Sequence, residues 1–195
     1  MKDITYKITF FSEWHCGSGL SSGSDLDTLV IKDKDGLPFI PGKTLKGLLK
    51  EAAEEILKIQ GKESKQERFI TELFGFFDEE NIEVTRIHTK GTAFFNNATL
   101  SAGLKSKLNK ELSMFLYRDM ASTAIGNNGI AIDSSLRKME TTIPCELIAH
   151  IYGVDEKYIA DLTQCMQWIK RLGQNRHRGL GRCQFQIIET KEAKL

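Results

Sequence analysis

A loop near the carboxyl end of the chain carries side chains suited to holding a polyanion. Residues 170–182 contain five Lys or Arg side chains and His177, and no acidic residue. Within them, residues 173–182 read GQNRHRGLGR, and the arginines whose forked donors match phosphate oxygens are Arg176, Arg178 and Arg182. The glycines that let backbone amides approach a phosphate closely are Gly173, Gly179 and Gly181. The pattern predicts either a phosphate-binding loop or an ordinary basic turn.

A second loop combines glycines with carboxylates. Residues 12–27 read SEWHCGSGLSSGSDLD, in which Gly17 and Gly19 expose backbone amides in the same way. The loop also carries His15 and two acidic residues, Asp25 and Asp27. Because Asp is common in ordinary Gly/Ser loops, composition alone leaves the role of these carboxylates open.

Composition predicts an ordered protein of one domain. The chain has 195 residues, 41% hydrophobic and 27% charged, which is enough to bury a core without disulfides or zinc. The net charge of +1 says nothing about nucleic acid by itself. A near-neutral protein can still hold a polyanion through a local basic patch.

Targeting features predict a soluble cytoplasmic protein without a membrane partner. No apolar stretch approaches the roughly 18 residues of a membrane span. The first residues, MKDITYKITFF, lack the apolar core and cleavage site of a signal peptide. No CxxC pair occurs among the four cysteines, which favours reduced thiols over a zinc site: Cys16, Cys145, Cys165 and Cys183.

The first half of the chain predicts a strand followed by a helix. Residues 4–11 alternate apolar and polar side chains as a strand does, and residues 28–31 form a short apolar strand. Residues 43–58 place leucines, Ala52 and Ile56 at the spacing of one buried helical stripe. Lys43 and Lys46 lie near the start of this helix, where positive charge opposes the helix dipole. They are expected either to bind an anion or to be solvated.

The second half predicts a further strand, an insertion, and a strand–helix–strand unit. Residues 59–91 show no regular period, and 92–100 is a strand. A long insertion follows at about 101–137. Residues 139–152 form one long strand with a bulge or edge at Pro144 and with Glu140 on its polar face. A helix starting at Asp155 and a strand over 183–188 complete the chain.

This order of elements predicts the fold class. It is close to a βαββαβ plan, an α+β ferredoxin-like (RRM-like) domain with an antiparallel sheet and helices on one face. The whole chain, 1–195, is expected to form one such domain carrying the insertion and the two glycine-rich loops.

Several sequence blocks, taken in order, resemble the repeat-associated mysterious protein (RAMP) superfamily of CRISPR systems. The nearest resemblance is to backbone subunits of type III effector complexes. The blocks are HCGSG (15–19), DTLVIKD (27–33), GLPFIPG (36–42), KTLKG (43–47), LFG (73–75), GTAFFNNATL (91–100), AIDSSLRKME (131–140) and GQNRHRGLGR (173–182). Each block is weak alone, but their joint order is specific and covers almost the whole chain.

The resemblance implies a subunit that binds guide RNA and pairs it with target RNA. It implies sequence-independent contacts to the guide backbone, with the insertion at 101–137 acting as a thumb that kinks the guide–target duplex. Partners would be other effector subunits and copies of this chain in a filament. The residues expected to contact RNA are His15, Gly17, Gly19, Lys43, Lys46, Arg137, Gly173, Arg176, His177, Arg178, Gly179, Gly181 and Arg182.

The resemblance also implies a role for Asp27 in chemistry. Asp27 falls where catalytic backbone subunits carry the aspartate needed for metal-dependent cleavage of target RNA, and Asp25 is the fallback. One carboxylate is too few ligands for a tight protein-only site, so Mg²⁺ or another divalent ion would be shared with RNA. The protein would then be an endoribonuclease acting within a ribonucleoprotein complex.

Two other functions stay open. Guide-processing endonucleases of the same superfamily cut RNA without metal by using a histidine general base, and His15 or His177 would take that role here. Alternatively, the chain is a structural subunit that binds guide RNA and its neighbours but cuts nothing.

Overall fold

A computed structural model of the protein describes residues 1–22, 26–61, 63–77 and 88–193. The first part contains β1 (Lys2–Phe10), β2 (Phe39–Ile40), α1 (Gly42–Gln60), α2 (Glu63–Phe74), β3 (Gly75–Phe77), β4 (His88–Lys90), β5 (Phe94–Phe95) and β6 (Ala98–Thr99). The second part contains α3 (Ala102–Lys105), α4 (Lys110–Ser113), β7 (Tyr117–Ser122), β8 (Arg137–Thr142), β9 (Glu146–Val154), α5 (Ile159–Trp168) and β10 (Cys183–Glu192). No helix among the described residues is long and apolar enough to cross a membrane.

The central sheet is antiparallel, and its strand β1 lies between the two other long strands, β10 and β9. Its strand order is β10-β1-β9-β6-β2, and β5 also pairs with β9. Alternate residues of β1 point to the core, where Ile4, Tyr6 and Ile8 are at most 1% exposed. This period of two is the signal that predicts the strand from the sequence.

Two helices cover the apolar face of this sheet. The stripe predicted for α1 is buried at Leu45, Leu49 and Ile56, and α1 packs against α5. Helix α5 buries Leu162 and Met166, and it follows a short 3₁₀ turn, Glu156–Tyr158, capped by Asp155. Mixed α/β structure with an antiparallel sheet is therefore the fold of this chain.

The strand predicted over residues 139–152 is two strands, so that prediction is wrong in its bounds. β8 ends at Thr142 and β9 begins at Glu146, with Pro144 between them. Proline cannot donate a ladder hydrogen bond, which is why the strand breaks here. β8 leaves the central sheet and pairs with β7 as an antiparallel hairpin.

Helix α2 lies in the segment for which the sequence predicts no regular element. Among the helix residues whose burial is described, Phe69, Leu73 and Phe74 are buried, and all three lie in its second half. The first half of the helix is polar, so apolar residues recur at helical spacing over only two turns. That is too short to stand out in the sequence window over which helical periodicity is read. The chain then continues into the small β3–β4 ladder.

Candidate functional site

An open cleft of about 760 Å³ lies between the two glycine-rich loops and the end of the β7–β8 ladder that adjoins the connecting residues 123–136. It is lined by residues 27–28 of the first loop, by Ser122 and residues 137–139 of the hairpin, and by residues 173–178. The described lining residues that always carry positive charge are Arg137, Lys138, Arg176 and Arg178. We call this the basic cleft; Asp27 is the carboxylate among its described lining residues.

Asp27 is held in place by the backbone of β8. Its amide donates to the Lys138 carbonyl at 2.8 Å, and its Oδ2 accepts from the Lys138 amide at 2.7 Å. The next residue, Thr28, forms a bridge with Met139, and its carbonyl accepts from the Glu140 amide at 3.0 Å. These bonds fix one carboxylate oxygen of an exposed Asp27 at the wall of the cleft.

The glycine–arginine loop, residues 173–182, forms the opposite wall. A 3₁₀ turn spans Arg176–Arg178 and is flanked by Asn175 and Gly179, which both have left-handed backbone conformations. The Arg171 guanidinium donates to the Arg176 carbonyl at 3.1 Å and so supports the turn from behind. The turn presents His177 and Arg178 to solvent, with Arg176 partly covered.

Two glycines of this loop are required by the protein itself. A Cβ at Gly181 would lie 1.9 Å from the Leu172 carbonyl oxygen, and a Cβ at Gly173 would lie 2.4 Å from the His15 carbonyl oxygen. Both residues also have positive φ angles. Gly181 is buried, so its role is close backbone packing, whereas Gly179 is exposed with nothing within 4 Å of a Cβ.

The structure brings six of the predicted site residues together in the basic cleft. They are Asp27, Arg137, Gly173, Arg176, His177 and Arg178. Other predicted contacts lie outside its lining. Lys43 and Lys46 lie in the first turns of α1, and the Arg182 guanidinium stands 5.7 Å from the Phe11 ring centroid. Gly17 lies beside the cleft, where a Cβ would be 3.4 Å from the Gln174 side-chain nitrogen.

His15 is fully buried, at 0% exposure. Its Nδ1 lies 2.6 Å from the Glu140 carbonyl oxygen, a distance that places the ring proton on Nδ1. Nε2 then faces no hydrogen-bond partner among the described residues. In this conformation His15 offers no surface to RNA and instead packs beneath Gly17.

Among the described residues, the protein donors do not form a metal site by themselves. No group of three His, Cys, Asp or Glu side chains converges within residues 1–22, 26–61, 63–77 and 88–193. Asp25, the fallback for Asp27, lies outside the described residues. With one Asp27 oxygen already bonded to the Lys138 amide, a divalent ion here would need most of its ligands from RNA and water.

Sequence reasoning missed the other six residues that line the cleft, which are Thr28, Ser122, Lys138, Met139, Gln174 and Asn175. Lys138 supplies both a positive charge and the backbone bonds that hold Asp27, and Gln174 and Asn175 line the opposite wall. Lys138 directly follows Arg137, so the basic pair was a usable signal. Its pairing with Asp27 spans 111 residues of sequence and has no local signal.

The tip of the β7–β8 hairpin exposes apolar side chains. Ile125, Ile130 and Leu136 are each at least 60% exposed, within the predicted thumb at 101–137. Such a cluster on a protruding hairpin is costly in water and is typical of a surface that meets a partner. One of the two hairpin strands, β8, also forms one wall of the basic cleft.

Solved structures share this fold over nearly the whole chain. A chain in the cryo-EM structure of the Type III-B Cmr-beta bound to cognate target RNA is 14% identical, with a TM-score of 0.68, covering 95% of this chain and 96% of that chain. A chain in the Type III-B Cmr-beta apo structure is also 14% identical, with a TM-score of 0.65 and coverages of 96% and 97%. At this identity, the likeness shows a common fold.

The family is shown by the sequence match. A comparison with curated proteins found no match. Residues 7–138, more than half of the chain, match the model of the family described as RAMPs, the RAMP superfamily. The match includes the first loop with Asp27, the start of α1 and most of the hairpin. Together with the shared fold, it means that this chain belongs to the RAMP superfamily.

Proposed function

We propose that this chain is a guide-RNA-binding backbone subunit of a type III CRISPR effector complex, acting in the cytoplasm on target RNA. The observation that carries the proposal is the basic cleft, which is lined by four cationic side chains and one exposed carboxylate and adjoins the apolar tip of the β7–β8 hairpin. One of the structures that share this fold is the Type III-B Cmr-beta bound to cognate target RNA. Membership of the RAMP superfamily agrees with this role.

RNA phosphates are the ligands that suit the cleft walls. Guanidinium groups of Arg137, Arg176 and Arg178 bind phosphate oxygens as forked donors and read no base sequence. Backbone recognition of this kind is what a subunit needs when it must accept guides of any sequence. Apolar side chains at the hairpin tip would wedge against bases, as the resemblance to thumb-bearing subunits implies.

Asp27 is proposed to assist cleavage of the bound target RNA. Its free carboxylate oxygen would hold a divalent ion jointly with RNA phosphates or orient the attacking 2′-hydroxyl. The bound ion would stabilise negative charge that develops on the phosphate. The protein's own contribution is placement, since the bond from the Lys138 amide restricts where the carboxylate can point.

Assembly along the guide is part of the proposal. The described surface carries a second apolar group near α4, with Leu112, Met114 and Phe115 at 46%, 66% and 70% exposure. Surfaces of this kind are typical of contacts with other subunits. We propose that they contact copies of this chain or other effector subunits placed successively along the guide RNA.

The finer fold assignment is also proposed. The path β10-β1-β9-β6, with α1 before β6 and α5 before β10, supports a ferredoxin-like βαββαβ core. In that arrangement the basic cleft lies at the end of the sheet where β1 leads into the first loop and the glycine–arginine loop leads into β10. The thumb is then an insertion before the third strand of the core.

A second candidate function uses His177. Its side chain lines the same cleft as Asp27, so a metal-independent cleavage with His177 as the proton acceptor has a structural basis. Burial of His15 removes the other histidine from contact with RNA in this conformation.

The assembled complex distinguishes these functions. Cleavage of complementary target RNA would be measured in Mg²⁺ and with a chelator, for the native chain and for Asp27→Ala and His177→Gln variants. We expect cleavage that needs metal and Asp27 but survives His177→Gln. Cleavage that persists in chelator and vanishes in His177→Gln would replace this proposal with the histidine mechanism.

A further inference from the structure

Glu140 is a buried carboxylate at the junction of the hairpin and the first loop. Its side chain is 9% exposed, although the sequence predicts it on a polar strand face. Oε2 accepts from the Val30 amide at 3.0 Å, and Oε1 accepts from the Lys32 ammonium at 2.6 Å. Burying a carboxylate is costly unless it is paired, and here both oxygens of Glu140 are paired with groups of residues 30–32.

The main chain of Glu140 binds the same loop. Its amide donates to the Thr28 carbonyl at 3.0 Å, and its carbonyl lies 2.6 Å from Nδ1 of His15. One residue of β8 therefore bonds to positions 15, 28, 30 and 32, on both sides of Asp27. These bonds fix the alignment of the first loop along β8 and so place Asp27 against Lys138.

The ion pair also reaches the other strand of the hairpin. The Lys32 ammonium lies 3.9 Å from the Tyr117 ring centroid, and Tyr117 donates to the Gly36 carbonyl at 2.7 Å. Opposite Glu140 in the β7–β8 ladder stands Asp119. Loop and hairpin are thus joined through Glu140, Lys32 and Tyr117.

We infer that Glu140 is a positioning residue that couples the proposed thumb to the Asp27 carboxylate. Loss of its charge would leave Lys32 without its partner and loosen residues 28–32 against β8. The bond between Asp27 Oδ2 and the Lys138 amide would then loosen as well. This inference rests on the proposed cleavage by Asp27. It assigns to Glu140 the role of keeping the Asp27 carboxylate oriented when the RNA duplex contacts the hairpin.

The test uses Glu140→Gln in the assembled complex, with Glu146→Gln as matched control. Glu146 is also a strand carboxylate paired with a lysine, Lys7 at 2.8 Å, but it is exposed and its described side-chain bonds go to β1 and not to the first loop. We expect the single-turnover cleavage rate at saturating target RNA to fall at least about tenfold in Glu140→Gln, since small misplacement of a reacting group costs up to about 100-fold. Target affinity should change less than about twofold, as the described cleft cations are untouched.

A second readout does not depend on cleavage. The Lys138 amide N–H donates to the Asp27 carboxylate, so hydrogen exchange at Lys138 reports directly on the position of that carboxylate. We expect faster exchange at Lys138 in Glu140→Gln and no change in Glu146→Gln.

The outcomes separate this inference from the proposed function. If Asp27→Ala leaves cleavage intact, the proposed function fails, while the exchange measurement still decides whether Glu140 positions Asp27. If Asp27→Ala abolishes cleavage but Glu140→Gln cuts at the native rate with native exchange at Lys138, the inference is overturned. Equal losses in Glu140→Gln and Glu146→Gln would overturn it as well.

Discussion

Neutralising the tip of the glycine–arginine loop tests whether the basic cleft holds an RNA backbone. The perturbation is the double variant Arg176→Gln/Arg178→Gln, which removes two of the four permanent cations among the described residues of the cleft. Neither residue is fully buried, so the fold should tolerate the change. Glutamine keeps a polar side chain that donates hydrogen bonds, but it lacks the positive charge and the forked donors of arginine.

The magnitude follows from counterion release. Each phosphate contact on single-stranded RNA contributes about 0.7 to the slope of log affinity against log salt, so two lost contacts reduce the slope by about 1.4. Exposed ion pairs contribute about 1 kcal/mol each at most, so affinity near physiological salt should fall up to about 30-fold.

The assay is RNA binding at several salt concentrations, with two guides of unrelated sequence. Lys58→Gln/Lys191→Gln is the control, because it removes the same charge from exposed positions at the end of α1 and in β10. We expect the cleft variant alone to lose slope, equally for both guides. An unchanged slope, or a loss confined to one guide, would refute the reasoning that the loop contacts phosphates.

Two further predictions concern the scaffold. Gly181→Ala should destabilise the protein far more than Gly179→Ala. Both glycines have positive φ, but only at Gly181 would a Cβ lie 1.9 Å from the Leu172 carbonyl oxygen. Denaturant unfolding of the two variants measures the difference, and equal losses of stability would contradict the prediction. Burial raises the pKa of the Cys183 thiol to about 12, so the folded state keeps the proton where the unfolded chain releases it. The free energy of unfolding should therefore fall as pH rises from about 9 towards 12, by less in a Cys183→Ala variant, and a stability that is flat over this range would contradict the assignment.

Elements with strong local periodicity are predictable from this sequence. The leucine stripe of α1 gives its bounds to within two residues, since the predicted 43–58 is observed as Gly42–Gln60. Alternation in β1 and the stripe of α5 are equally local signals. These elements build the helix-covered sheet, so the fold class follows from pattern alone at the level of mixed α/β with an antiparallel sheet.

What sequence cannot give is the pairing of β8. Residues 137–142 alternate as if they continued into β9, yet they turn away at Pro144 to pair with β7 and with residues 14 and 28. That choice buries Glu140, which a polar-face assignment leaves in solvent. The pairing depends on β7 and on first-loop residues more than 100 positions away, and no local period encodes these partners.

The candidate site shows the same division. Arg176 and Arg178 stand out in the sequence because a charge run is local, whereas Lys138 matters through its backbone contact with Asp27. Asp27 itself is identified by resemblance, since an Asp in a Gly/Ser loop carries no signal of its own. Burial of His15 beneath Gly17 is likewise visible only once the two loops are brought together.

The central claim is that Asp27 acts on RNA held in the basic cleft. Its most direct test compares native protein with Asp27→Ala in the assembled complex, in Mg²⁺ and at matched target-RNA occupancy. The account predicts that Asp27→Ala abolishes cleavage while guide and target stay bound, because Asp27 is exposed and its side chain bonds only at the cleft wall among the described contacts. If the variant cleaves at the native rate, or if neither protein cleaves, this chain is a guide-binding scaffold and the account of Asp27 is contradicted.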